Sequence, residues 1–142
     1  MSYPQQIASV YNLLRGSDNV RYVTYPDAAA AVTLTGGKSW AYGAWAELEP
    51  AATFTVEYWL CGLIIVAAAV DSFEVDLGVG AGGSEATRAT LPWDGNDASG
   101  GIVMLPLPIR QAATIRVAAR TANAAAGAAN TLTAKVIIAT GL

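Results

Sequence analysis

The chain has 142 residues, 54% of them apolar and 13% charged, with a net charge of −3 and no histidine. The length suits one domain with a real hydrophobic core. Without histidine, nucleophile–histidine catalysis and a histidine-ligated zinc site are excluded, and the acidic balance gives no general attraction to nucleic acid or anionic membranes. Globular chains usually carry about 25% charged residues. So few charges cannot clothe a lone domain in water, so other copies or a partner are expected to cover part of it.

Residues 1–19 differ from the rest. Ile7, Val10, Tyr11 and Leu14 follow i, i+3, i+4, i+7 spacing, and Gly16 ends the pattern. This segment reads as an N-terminal arm or short helix, too short to be stable alone. The segment lacks a basic stretch leading into an apolar run, so no signal peptide is expected. Residues 20–142 read as a single β domain. Its strand-like runs are 20–25, 30–35, 40–48, 53–66, 73–79, 86–91, 102–105, 114–121 and 131–138. Gly, Pro, Asp and Asn clusters separate them, including Pro106 and Pro108. The run 53–66 fits either two strands joined near Gly62 or one strand bent there.

Several runs alternate cleanly. Phe54, Val56, Tyr58 and Leu60 oppose Thr53, Thr55, Glu57 and Trp59; Leu132, Ala134, Val136 and Ile138 oppose Thr131, Thr133 and Lys135. That is the antiparallel pattern with one wet face. Eight to ten short strands without a long helix between them predict an all-β antiparallel sandwich, specifically a jelly roll. The alanine-rich stretch 122–129 holds Gly127 and is too short for a stable helix; it reads as a hairpin loop between the last two strands.

Charge is unevenly distributed. Nine carboxylates and one base, Arg88, lie between Glu47 and Asp97; Arg110, Arg116, Arg120 and Lys135 follow with no acid. The two halves are expected to attract, within one subunit or across an interface. Cys61 has no partner for an intrachain disulfide and reads as a small buried hydrophobe. The longest apolar stretch, 58–70, is 13 residues, short of the roughly 20 needed to cross a bilayer as a helix. The expectation is a soluble, cytoplasm-made protein with no membrane partner.

Few motifs suggest chemistry. Gly78-Val79-Gly80-Ala81-Gly82-Gly83 matches G-x-G-x-x-G, but no crossover helix follows, so it reads as a turn. Asp94-Gly95-Asn96-Asp97 lacks the spacing of a calcium loop and also reads as a turn. Lys38-Ser39 reads as the turn before Trp40 and not as a dyad. Glu47/Glu49 and Glu74/Asp76 are i, i+2 pairs that a jelly-roll glycosidase would need to place across a cleft. Cross-strand pairing with Arg116, Arg120 or Lys135 suits them better. Trp45 alternates to the face opposite Trp40 and Tyr42, and Trp59 opposes Tyr58, so outward indoles are expected for a protein interface or a sugar platform.

One resemblance joins these features. Ser39-Trp40-Ala41-Tyr42-Gly43-Ala44-Trp45-Ala46-Glu47-Leu48, the segment from Phe73 to Glu85, Leu107-Pro108-Ile109 and Ile115 to Arg120 resemble small virion proteins of tailed bacteriophages. The likeness spans about residues 35–140 and rests on order and spacing. Gln111-Ala112-Ala113-Thr114 departs from the P-x-G-T turn of many such proteins. The resemblance implies a non-enzymatic jelly-roll protein of the capsid decoration, or cement, type. Its partner would be the major capsid protein shell, its state a homotrimer and its location the capsid surface, with no cofactor, metal or nucleic acid. The interface candidates are Tyr11, Leu14, Trp45 and Trp59 for contact, and Arg116 and Arg120 for pairing between strands or subunits. The alternative is a carbohydrate-binding or receptor-binding tail protein on the same sandwich.

Overall fold

A computed structural model describes residues 20–27, 30–96 and 100–141. They form nine strands: β1 (Arg21–Tyr25), β2 (Val32–Thr35), β3 (Ala46–Glu49), β4 (Tyr58–Ala68), β5 (Ser72–Val79), β6 (Ala86–Asp94), β7 (Gly101–Gln111), β8 (Val117–Asn123) and β9 (Thr131–Thr140). A 3-10 turn covers Ala51–Thr53, and there is no α-helix among the described residues. The N-terminal stripe, with Tyr11 and Leu14, lies outside them.

The strands make two antiparallel sheets. The first runs β1-β9-β4-β7, with β2 also on β9; the second runs β3-β8-β5-β6. β1 pairs with residues 136–140 and β2 with residues 131–134. They are therefore one edge strand in two pieces, with Pro26, which has no N–H to donate, at the break. Counting them as one, the chain pairs first with last: β1 and β2 with β9, β3 with β8, β4 with β7, β5 with β6. It is a single long hairpin wound so that successive pairs fall on alternate sheets. That nested pairing is a jelly roll, as the alternation and strand count predict. Its tip is the glycine run, where Gly80 has φ of +120° and leads into antiparallel β6, so the G-x-G-x-x-G motif is a turn.

The core lies between the sheets. Leu34, Leu60, Leu63, Ile65, Leu132, Val136 and Ile138 of the first sheet meet Leu48, Phe73, Val75, Leu77, Val79 and Val117 of the second. Phe54 stacks on Tyr58 with ring centroids 4.0 Å apart and meets Tyr25 edge-on at 5.5 Å. The buried Tyr58 hydroxyl donates to the Ile115 carbonyl at 2.8 Å, which satisfies its polar end.

Four expectations need correction. The run 40–48 is a strand only from Ala46, because Ser39 and Trp40 take positive φ, 52° and 64°, and bend the chain first. The run 53–66 is not a continuous strand: β4 starts at Tyr58, and Val56, expected to face the same way as Tyr58, is exposed. β4 is a single strand with a bulge between Leu60 and Gly62, close to where the glycine suggests a bend; a Cβ at Gly62 would lie 2.3 Å from the Val103 carbonyl oxygen. Pro106 and Pro108 do not end a strand. β7 is an edge strand, and its residues between Met104 and Ile109 bulge out of register with β4, so the prolines withhold no ladder bond. Finally, β8 and β9 belong to different sheets, so the alanine-rich loop arches between sheets and is not a hairpin.

Candidate interaction surfaces

Successive residues of a strand point to opposite sides of its sheet, so each sheet presents an outer face as well as the face it gives to the core. The second sheet's outer face is ionic. Arg116 Nε donates to Glu47 at 2.7 Å and Nη1 to Glu85 at 2.9 Å. The Arg116 guanidinium holds the Glu85 carboxyl below its ordinary range. Arg120 Nε donates to Asp76 Oδ2 at 2.9 Å, and Thr90 donates to Asp76 Oδ1 at 2.7 Å. The Arg120 guanidinium carbon also lies 4.3 Å from the Tyr42 ring centre and 4.6 Å from that of Trp45, within cation–π range. The Tyr42 hydroxyl donates to Glu74, and burial followed by that carboxylate pushes its pKa up. The Trp45 ring rests where a side chain at Gly78 would sit: a Cβ there would be 2.5 Å from Cη2.

Trp45 and Tyr42 therefore share a face, against the alternation expected, because the chain is irregular between them. The acidic and basic halves attract within the subunit: Glu57–Arg110, Glu47–Arg116, Glu85–Arg116 and Asp76–Arg120 all join them. Arg116 and Arg120 take the inter-strand role among the two expected. Each i, i+2 carboxylate pair is split between separate partners: Glu49 accepts from Thr53 at 2.6 Å while Glu47 holds Arg116. At Asp94-Gly95-Asn96, the Asp94 carboxylate accepts from the Asn96 amide nitrogen at 2.9 Å, a turn bond; Asp97 is outside the described residues.

A second polar cluster ties down the alanine-rich arch. Buried Asp71 accepts through Oδ2 from Asn130 at 2.9 Å, Asn123 at 2.9 Å and the Ala125 N–H at 3.1 Å, and through Oδ1 from the Ser72 N–H at 2.8 Å. Asn130 foremost, with the other donors, lowers its pKa to about 2 against the opposing effect of burial. The cluster contains no nucleophile, and its donors consume the carboxylate. Its chemistry is structural.

The first sheet's outer face is apolar, and cross-strand registers arrange it in three rows. Tyr22, Ala139, Trp59 and Arg110 form one. Thr24, Ile137, Gly62 and Met104 form the next, with Cys61 in the bulge beside Gly62. Lys135, Ile64 and Ile102 form the third. Cys61, Ile137 and Ala139 make a cluster separate from the core, with Val20, Trp59 and Ile64 packed on it. Cys61 is a buried hydrophobe as expected, its thiol pushed up to about 11 by that burial. Toward the β7 edge, Ile102, Met104 and Val66 are largely exposed. Sequence reasoning missed these three as candidates. The signal was present: 63–66, 102–105 and 136–139 are continuous apolar runs, and such runs put apolar side chains on both faces of a strand. Trp59 faces outward as expected, but it packs partly buried on this cluster.

No protein-family model matches the chain, and no curated protein matches it. Among solved structures, a chain in the structure of infectious bursal disease virus, Gx strain, is similar at 16% identity and a TM-score of 0.42, over 87% of this chain and 32% of that one. This chain thus spans about a third of that chain's length. A likeness so distant says nothing of what this chain does. Jelly rolls serve in viral capsid proteins, lectins and cupins alike, so function has to be argued from the surfaces.

Proposed function

We propose that the chain is a non-enzymatic structural protein of a tailed-phage virion, a capsid decoration protein that binds the assembled shell as a homotrimer and stiffens it. The observation that carries this reading is the exposed apolar strip of Ile102, Met104 and Val66 on the outer face of the first sheet, opposite a sheet whose Arg116 and Arg120 are paired with Glu47, Glu85 and Asp76. The fold and the sequence resemblance agree with it. Burying apolar surface gives about 25 cal/mol per Å², and repetition over a lattice multiplies a modest contact. The glycan-binding alternative needs a free indole face; Trp45 gives its ring to Arg120 and Gly78, which leaves that reading to the exposed Trp40.

The test is co-sedimentation with assembled shells of the virus of origin, alongside mass measurement in solution. The expected result is a trimer that pellets with shells. Ile102→Glu with Met104→Glu should weaken binding at least tenfold while leaving the melting temperature within a few degrees. A monomer indifferent to shells would overturn the reading.

A further inference from the structure

We propose that Trp40 is a saccharide-binding platform, whose exposed indole stacks on one sugar ring while Lys38 and Ser39 beside it meet that ring's hydroxyls. The site sits on a turn bonded to β8 of the second sheet, and the Ile102 and Met104 strip belongs to the first. The proposal therefore goes beyond the decoration reading and does not depend on it.

The backbone of the turn is the first observation. The Ala41 N–H donates to the Lys38 carbonyl at 3.1 Å, and the two central residues, Ser39 and Trp40, take φ of 52° and 64°. Two consecutive positive φ values mark a turn of the I′ kind, which glycine, asparagine and aspartate dominate. A bulky residue in that left-handed region is rare, because its Cβ crowds the backbone. Glycine at position 40 would close the same turn without the crowding. Packing does not offset the strain either, since Trp40 is 52% exposed. Folding alone thus gives no reason for a tryptophan here. Residues held against their backbone preference cluster at ligand sites.

The turn is also held in place. The Ser39 N–H donates to the Ala125 carbonyl at 3.1 Å, and the Trp40 N–H to the Asn123 carbonyl at 2.8 Å. Both acceptor residues belong to the segment that Asp71 ties down, through the Asn123 side chain and the Ala125 N–H. An indole presented on so fixed a backbone loses little freedom when a ligand arrives.

The surroundings of the indole select the ligand. Lys38, Ser39 and Ala41 are exposed in the turn, and residues 126–129 of the arch are exposed alanines and a glycine. A protein hot spot sits at the centre of a patch that shuts out water. An ammonium, a hydroxyl and a few methyl groups do not make such a patch. A sugar asks for less. Its C–H face carries slight positive charge and is drawn to the negative face of an aromatic ring. Its hydroxyls stay at the rim, where an ammonium donates and a serine hydroxyl both donates and accepts.

The experiment uses native full-length protein coupled to fluorescent beads, so that weak single contacts add up, on an array of neutral, N-acetylated and uronate oligosaccharides. Wild type should bind at least one of these classes. Trp40→Gly should lower the signal at least tenfold while its urea midpoint stays the same or rises, because the turn relaxes. Trp40→Asn, which also suits left-handed backbone, should behave alike, and Trp40→Phe should keep part of the signal. Ile102→Glu with Met104→Glu should bind the array as wild type does, which keeps this test separate from the shell assay. Wild type that binds no glycan would overturn the proposal, as would binding that survives Trp40→Gly. A lower urea midpoint in Trp40→Gly would overturn it too, by making the indole a structural residue. So would loss of shell binding in Trp40→Gly with glycan binding intact, since the indole would then anchor a protein.

Discussion

The two outer faces of this sandwich are built on opposite plans, although both sheets give the core the same kind of residue. On the second sheet, Arg116 and Arg120 collect Glu47, Glu85 and Asp76 from neighbouring strands, and Tyr42 and Trp45 fold back onto Arg120. On the first, Ile64, Ile102, Met104 and Ile137 occupy the equivalent outward positions, with Arg110 and Lys135 at the ends of rows. A jelly roll needs only its inner faces to fold. Where the outer face satisfies itself with charge pairs, it asks nothing of a partner. Where it is apolar, water is the wrong neighbour, and on the function proposed above a partner covers it. Changes to the second face should therefore be felt as lost stability, and changes to the first as lost association.

The largest loss is expected at Asp71, where the second sheet is anchored to the arch. Asp71→Ala would take the shared carboxylate acceptor from the Asn130 amide and the Ala125 N–H, and one of its acceptors from the buried Asn123 amide, which keeps the Ala128 carbonyl. Unsatisfied buried groups cost about 1–3 kcal/mol each, so a total of about 3–4 kcal/mol is expected, read from urea denaturation. Arg120→Ala comes next. It takes the guanidinium from the buried Asp76 carboxylate and leaves it to neutral hydroxyl donors, Thr87 and Thr90 among them, and should cost about 2–3 kcal/mol. Met104→Glu on the opposite sheet should stay within about 0.5 kcal/mol of wild type in the same assay. If Met104→Glu cost as much as Arg120→Ala, the division between the two faces would be wrong.

The sequence made one of these faces readable and hid the other. Alternation marked Phe73, Val75 and Leu77 as inward and Glu74 and Asp76 as outward, and the structure places them so. The opposite-charge halves likewise found one another. Alternation failed on the first sheet for a physical reason. When both faces are apolar, as at Val136-Ile137-Ile138-Ala139, period two disappears from the hydropathy pattern even though it persists in the backbone. The bulge at Cys61 then shifts the phase of β4, so the faces of residues before it do not predict those after it. The long-range ties were invisible for a different reason. Asp71 meets Asn130 across 59 residues of sequence, and no local spacing encodes that. Only the winding of the hairpin brings them together.

Acid should separate the faces without any mutation. Asp71 has its pKa lowered from 3.8 to about 2, and Glu85 is shifted in the same direction. A carboxylate with a depressed folded pKa contributes stability that is complete above its unfolded value and is lost as pH falls through the folded one. Stability should therefore hold to about pH 5 and decline between about pH 4 and pH 2. Asp71→Ala, already less stable at neutral pH, should lose less over that interval than wild type does. Parallel curves for the two proteins would assign the acid sensitivity to other groups.

The smallest effect is expected where the first sheet does carry a charge pair. Arg110 donates through Nε to Glu57 at 2.9 Å, but the two side chains are 65% and 41% exposed. A pair open to water gains little Coulomb energy, holds two long side chains in one geometry and is screened by salt. Arg110→Ala should change stability by less than about 0.5 kcal/mol, and the difference should vanish in 1 M salt. The contrast with Arg120 isolates burial as the deciding variable, since both arginines sit on outer faces and both hold one carboxylate. Asp76 is shut away beneath its partner, while Glu57 is not. A loss at Arg110 as large as that at Arg120, and resistant to salt, would mean that the rim of the apolar face is covered in solution, and that Arg110 is buried there with it.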